Sequence, residues 1–128
     1  MKKLVIIGAG GHGKVVADCA LNVGYTEIEF LDDNRVVSDV LGYAVVGSVS
    51  DVSGYDPDKT EFFVAIGNNR VRIDMVRKLI DGGYTVATLI HPKTVVSRFA
   101  RIGVGTLVMP GAVINAQAQI GVGAIVNT

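Results

Sequence analysis

Two rhythms of apolar and polar residues divide the chain, and the change between them falls at His91-Pro92. Ahead of it, short β-branched runs alternate with stretches that repeat every three or four residues. Lys3-Leu4-Val5-Ile6-Ile7 is short and apolar, which predicts a strand buried on both faces. From Lys14 onward Val16, Cys19, Ala20 and Val23 recur at helical spacing, and Gly24 stands where a helix stops. Glu27-Ile28-Glu29-Phe30-Leu31 predicts a second strand running into the turn cluster Asp32-Asp33-Asn34. Tyr43-Ala44-Val45-Val46-Gly47 reads as a short strand and residues 49–54 as a turn or brief helix, with Pro57 in a loop.

Glu61-Phe62-Phe63-Val64-Ala65-Ile66 predicts a further strand, followed by Gly67-Asn68-Asn69, where Asn69 suits a helix N-cap. Val71, Ile73, Val76, Leu79 and Ile80 then form an apolar stripe, with Arg70, Arg72, Asp74, Arg77 and Lys78 on the solvated face. Gly82-Gly83 ends that helix, and residues 84–90 return as a strand. Strands alternating with helices predict a parallel, Rossmann-like α/β sheet over residues 1–91, with ligands outside the carboxyl ends of its strands.

Beyond Pro92 the period becomes six. Val96, Ile102, Val108, Ile114, Ile120 and Val126 keep an unbroken register, and Ala100, Thr106, Ala112, Ala118 and Ala124, four residues after the first five, are all small. Such periodicity predicts a parallel β-helix, with aliphatics pointing inward and small residues at tight corners. Residues 92–128 form this second unit, and from Val96 they complete fewer than two coils of about three hexapeptides each.

Candidate chemistry gathers in the first unit. Gly8, Gly10 and Gly13 fit G-x-G-x-x-G between strand and helix, where glycines permit a tight turn and close approach of phosphate to free amides. Gly11, His12 and Lys14 complete this loop. Asp32 follows Gly13 by 19 residues, about where a dinucleotide fold places the acid that meets a ribose hydroxyl. Asp33 stands beside it, and Gly67, Asn68 and Asn69 fall at the same end of the sheet. His12, inside the turn, reads as shaping the loop or touching sugar or phosphate rather than carrying a proton, and His91 reads as a linker residue.

Composition narrows the field. Twelve basic and twelve acidic side chains cancel over 128 residues, so no field favours nucleic acid or an anionic membrane. The first apolar segment is too short for a membrane span or a signal peptide, which predicts a cytoplasmic protein. The lone Cys19 suits packing, and one Cys with two distant His supplies no metal set.

Several segments together resemble the PglD/NeuD-like sugar O- and N-acyltransferases, related to bacillosamine-pathway and sialic-acid acetyltransferases. They are Gly8-Ala9-Gly10-Gly11-His12-Gly13-Lys14-Val15-Val16-Ala17-Asp18, Phe30-Leu31-Asp32-Asp33, Ala65-Ile66-Gly67-Asn68-Asn69-Arg70, Leu89-Ile90-His91-Pro92 and the repeat ending in Ile125-Val126-Asn127-Thr128. The resemblance implies a Rossmann-like domain holding a nucleotide-linked amino sugar of UDP or CMP type, then a left-handed β-helix that assembles as a homotrimer and binds acetyl-CoA between subunits. It also implies acetyl transfer to an amine or hydroxyl of the sugar. Its histidine general base lies just after the segment matching Val126-Asn127-Thr128, past Thr128, so the catalytic residue is unassigned and this chain alone is expected to bind ligand with little turnover. Two rivals stay open: an NAD(P)-binding oxidoreductase or redox sensor, for which the first thirty-odd residues read equally well, and a non-enzymatic nucleotide-sugar-binding or oligomerisation module.

Overall fold

The computed structural model describes residues 2–34 and 36–128. Its first unit is a six-stranded sheet in the order β3-β4-β2-β1-β5-β6. The strands are β1 (Lys3–Ile7), β2 (Ile28–Leu31), β3 (Asp39–Val40), β4 (Tyr43–Gly47), β5 (Thr60–Val64) and β6 (Thr85–Val86). All neighbours run parallel except β3 and β4, a hairpin whose second strand is the one expected over Tyr43–Gly47. Central β1 pairs Ile6 with Phe30 on one side and with Phe63 on the other.

Period-two alternation on the buried strands sends side chains to opposite faces. Leu4, Ile6, Phe30 and Phe63 pack with helix α1 (Gly11–Val23), whereas Val5, Ile7, Phe62 and Val64 pack with Val76 and Leu79 of helix α2 (Asn69–Asp81). The sheet is thus covered on both faces, as its nearly continuous apolar strands require. Gly24, with φ of 121°, closes α1 as expected. A 3-10 helix spans Val49–Gly54 and begins with a capping box between Ser48 and Asp51.

Three expectations are corrected. The predicted strand over residues 84–90 is two strands in different sheets: β6 pairs with β5, while β7 (Leu89–Ile90) pairs with Leu107–Val108. An apolar pair shows that a strand is buried without showing which neighbour it chooses, so the second unit begins before His91-Pro92. Asn68, not Asn69, is the N-cap of α2, its Oδ1 accepting from the Val71 amide at 3.0 Å. Arg72, placed on the solvated face by its charge, is only 4% exposed.

From β7 onward the chain forms three parallel ladders: β7 with β10 (Leu107–Val108) and β13 (Ile125–Val126), β8 (Val95–Val96) with β11 (Val113–Ile114), and β9 (Arg101–Ile102) with β12 (Gln119–Ile120). Partners such as Leu89, Leu107 and Ile125 stand 18 residues apart, one turn of a three-sided coil. Val96, Ile102, Val108, Ile114, Ile120 and Val126 share one interior cluster with Ala100, Ala112 and Ala118. Thr106, at another small position, is fully buried, and its hydroxyl donates to Gly121 O at 3.0 Å, linking one coil to the next.

The two units share a core. Leu89 and Leu107 are fully buried in the cluster that holds Leu4, Val16, Ala20 and Phe30. On the other side the turn at Gly105 lies against α2, where a Cβ would come within 3.2 Å of the Val76 methyls, and its φ of 78° independently favours glycine. Leu107→Ala should therefore destabilise the whole chain by about 2–5 kcal/mol. All four tyrosines precede β7, so tyrosine fluorescence during urea unfolding reports on the first unit. A single shifted transition, coincident with the loss of circular dichroism, is the expected result; an unshifted tyrosine transition contradicts the shared core.

Candidate functional site

Strand order fixes where a ligand fits. The chain moves from β1 outward through β2 to β4, then returns to the other side of β1 for β5 and β6. The crevice between the carboxyl ends of β1 and β5 is therefore the switch point at which open α/β sheets bind ligands. Both the loop of residues 8–13 and the loop of residues 65–68 open there, and each leads into a helix.

Steric interlock shapes the first loop. Gly8 has φ of 111°, and a Cβ on it would fall 2.6 Å from Ala65 O. A Cβ on Gly13 would fall 2.2 Å from Gly8 O and against the Phe30 ring, so α1 can start close to β1 only with glycine here. At Gly10, Gly11 and Gly67, by contrast, a Cβ would find nothing within 4 Å. Packing explains two glycines of the motif and leaves these three facing open space.

The amides complete the picture. Neither helix has an acidic residue in its first turn. Backbone N–H groups of Gly10, Gly11, His12 and Gly13, and of Gly67, Asn68, Asn69 and Arg70, have no acceptor among the described residues. Two uncompensated helix starts thus converge at adjacent strand ends, an arrangement suited to an anion. Lys14 is exposed in the first turn of α1 and adds positive charge.

The two acids expected nearby are engaged within the protein. Asp32 accepts from the Ala9 amide at 2.7 Å through Oδ2 and from the Asn34 amide at 2.8 Å through Oδ1. It ties the glycine loop to the end of β2. Asp33 Oδ1 accepts from the Val49 amide at 2.9 Å, fixing the start of the 3-10 helix. Asp32 therefore sits at the loop as the spacing predicted, while Asp33 points to a different element.

His12 lies in the loop with Nε2 shielded from solvent and unpartnered among the described residues. Burial first, and the Arg72 charge second, hold its imidazole below the ordinary value of 6.5. His91 is occupied elsewhere, its Nδ1 accepting from the Lys93 amide at 3.0 Å. Burial pushes the Cys19 thiol up to about 11, which leaves it protonated and unreactive at neutral pH. Among the described residues no three His, Cys, Asp or Glu side chains converge as metal ligands.

Arg72 is the residue that sequence reasoning missed. Its guanidinium donates to Gly123 O at 2.6 Å, Ile66 O at 3.0 Å, Gly67 O at 3.1 Å and Asn69 Oδ1 at 2.7 Å. One signal in the sequence pointed to it: Arg72 lies four residues before Val76 and seven before Leu79, a spacing that puts it on the apolar face of α2. Beside it a cleft of about 520 Å³ runs between the start of α2 and the last coil, lined in part by Asn69, Arg72, Ile73, Gly123 and Asn127. That volume is in the range of small-molecule sites.

These features define a doubly wound domain with two runs of unpartnered amides at its switch point, joined to a three-sided coil. Residues 3–79 match the family described as the PglD N-terminal domain, and the chain belongs to that family. It is 36% identical over 109 residues to the UDP-N-acetylbacillosamine N-acetyltransferase of Bacillus subtilis (strain 168), covering 82% of this chain and 50% of that protein. Among solved structures it is similar to the acetyltransferase domain of PglB from Neisseria gonorrhoeae FA1090, with a TM-score of 0.94 and 43% identity over all of this chain and 63% of that one. PerB from Caulobacter crescentus, solved in complex with CoA and GDP-perosamine, gives a TM-score of 0.90 and 40% identity over all of this chain and 61% of that one. The chain thus spans between half and two thirds of the length of these relatives.

Two measurements follow from the loop. Gly13→Ala should destabilise by about 1–3 kcal/mol or more through overpacking, whereas Gly11→Ala should change stability by no more than about 0.5 kcal/mol; urea midpoints compare them. For His12, whose folded value is depressed, the unfolded chain takes up a proton that the native state refuses as pH falls through 6.5. Stability should therefore be present above that value and decline on acidification toward the folded value. In His12→Gln the drop between about pH 7.5 and 5.5 should be smaller; an equal drop excludes this linkage.

Proposed function

We propose that this chain is the sugar-binding domain and first coils of an acetyl-CoA-dependent acetyltransferase acting on a nucleotide-linked amino sugar. The observation that carries the reading is the pair of unpartnered amide runs at the switch point, fused to an eighteen-residue coil. Gly10, Gly11, His12, Gly13 and Lys14 on one side, and Gly67, Asn68 and Asn69 on the other, cradle the phosphates, with Gly8, whose amide is bonded to Leu31 O, setting the turn. Asp32 holds its loop in shape and leaves further lone pairs for a ribose hydroxyl, while Asp33 supports the neighbouring 3-10 helix. The sugar then extends into the cleft toward the coil. Support comes from the relatives, one of which is an N-acetyltransferase of a UDP-sugar and another of which holds CoA with GDP-perosamine. The PglB domain has also been solved with acetyl coenzyme A.

On this reading the sugar amine attacks the thioester carbonyl, the C–N bond forms as the C–S bond breaks, CoA leaves as its thiol and a general base takes the amine's proton. His91 Nδ1 is taken by the Lys93 amide and His12 Nε2 is shielded within the glycine loop, so neither is assigned as that base. The coil reads as the start of a left-handed parallel β-helix, supported by its eighteen-residue register and its interior row of six aliphatics. Homotrimer assembly is supported by apolar side chains left facing outward on the coil: paired Val95 and Val113 are 66% and 61% exposed, and Phe99 is 69% exposed. No helix among the described residues is long and apolar enough to cross a membrane, and a cytoplasmic location goes with soluble substrates of this kind.

Calorimetry with UDP- and GDP-linked amino sugars tests the reading. Binding by the wild type is expected, and Gly11→Ala should weaken it at least tenfold while sparing stability, because a helical Cβ tilts toward the amino end, where the anion sits. Thermal stabilisation by NAD alone, with no response to nucleotide sugars, points instead to a redox protein. Sedimentation velocity is expected to show self-association that Val113→Asp weakens.

A further inference from the structure

Arg72 is buried, yet no carboxylate among the described residues pairs with it; the one ion pair there joins Lys3 and Glu29. Four of its five N–H groups are engaged by neutral oxygens. Two of these oxygens belong to the successive peptides of Ile66 and Gly67, at the mouth of the second loop. In a trans peptide the carbonyl of one residue and the amide of the next point in opposite directions, and the described chain has no cis peptide. Drawing the Ile66 and Gly67 oxygens inward therefore aims the Gly67 and Asn68 amides outward, where both residues are exposed and both amides lack an acceptor. A neutral side chain at position 72 would leave those carbonyls free to turn.

We propose that Arg72 is the positioning residue of the diphosphate site: its fork orients the Gly67 and Asn68 amides toward phosphate, and its unpaired charge adds to the attraction from beneath the loop. The inference rests on the nucleotide-sugar reading above and goes beyond it. With four of its five N–H groups spent on the protein, Arg72 acts on phosphate through the loop it organises. The same guanidinium donates to Gly123 O of the last coil, so the phosphate amides are fixed relative to the coil that flanks the cleft.

The test uses GDP and UDP against guanosine and uridine in calorimetry, with wild type, Arg72→Met and Arg72→Lys. Arg72→Met is expected to weaken both diphosphates about tenfold or more, leaving the neutral nucleosides unchanged. Arg72→Lys should fall between, since it keeps the charge but not the planar fork. Diphosphate affinity equal to wild type in Arg72→Met overturns the proposal. Should that variant fail to fold, wild-type amide NMR decides: the Gly67 and Asn68 N–H resonances should move downfield on adding GDP, and their staying fixed while GDP binds overturns it. A wild type that binds neither diphosphate removes the nucleotide-sugar reading, and this inference with it. Binding with Gly67 and Asn68 unmoved removes the inference alone.

Discussion

A guanidinium buried without a counter-ion is the constraint on which the rest of this architecture turns. Taking a cation out of water costs several kcal/mol, recovered only if its donors meet well-placed acceptors. Here the acceptors come from three places at once: the end of the β5 loop, the first turn of α2 and the turn at Gly123. No one of them can shift without stranding a charge-assisted hydrogen bond. The side chain therefore does what a larger core would do in a larger protein, fixing the coil to the sheet domain at the point where the two flank the cleft.

The glycine loop obeys a complementary logic. Gly8 and Gly13 allow backbone to approach backbone, which brings the start of α1 down onto β1 and the β5 loop. Asp32 then anchors Ala9 from below through a short hydrogen bond. The loop's internal demands are met by these three residues, so the amides left over at residues 10–13 are surplus to folding. Helices in which nothing acidic complements the amino end normally forgo a small stabilisation. On the proposed reading, two such ends side by side are where the phosphates bind.

Much of this was legible in the sequence, and the failures have a common cause. Strong periodicities identified β1, α1, α2 and the six-residue register, because burial imposes them directly on composition. Glycine spacing located the loop, and Asp32 fell where the fold needed an acid. What pattern could not supply was partnership. Leu89-Ile90 reads as a strand whichever sheet it joins, so its pairing with Leu107-Val108 needed the three-dimensional chain. Asn68 and Asn69 are chemically alike, and only the backbone decides which caps α2. Arg72 was assigned to water on charge alone, whereas it lies on the buried face of α2 with Val76 and Leu79 and its head group finds carbonyls contributed by residues up to 51 positions away. Long-range acceptors of this kind leave no local trace.

The shared core adds a step about how the two units work together. Were they independent, a linker near Pro92 would let the coil sample many positions, and groups bound to each would meet only by diffusion. Leu89 and Leu107 instead pack beneath α1, and Gly105 and Gly123 lie against α2, so the coil is gripped on both sides of the sheet. Holding two reactants at fixed separation removes a large part of a transfer reaction's barrier. On the proposed reading the diphosphate is fixed at the switch point and the sugar lies across the cleft, beside the turn that Arg72 clamps. Rigidity at this seam then holds the acceptor amine in place relative to the coil, and the domain contributes to transfer through position rather than through acid or base of its own.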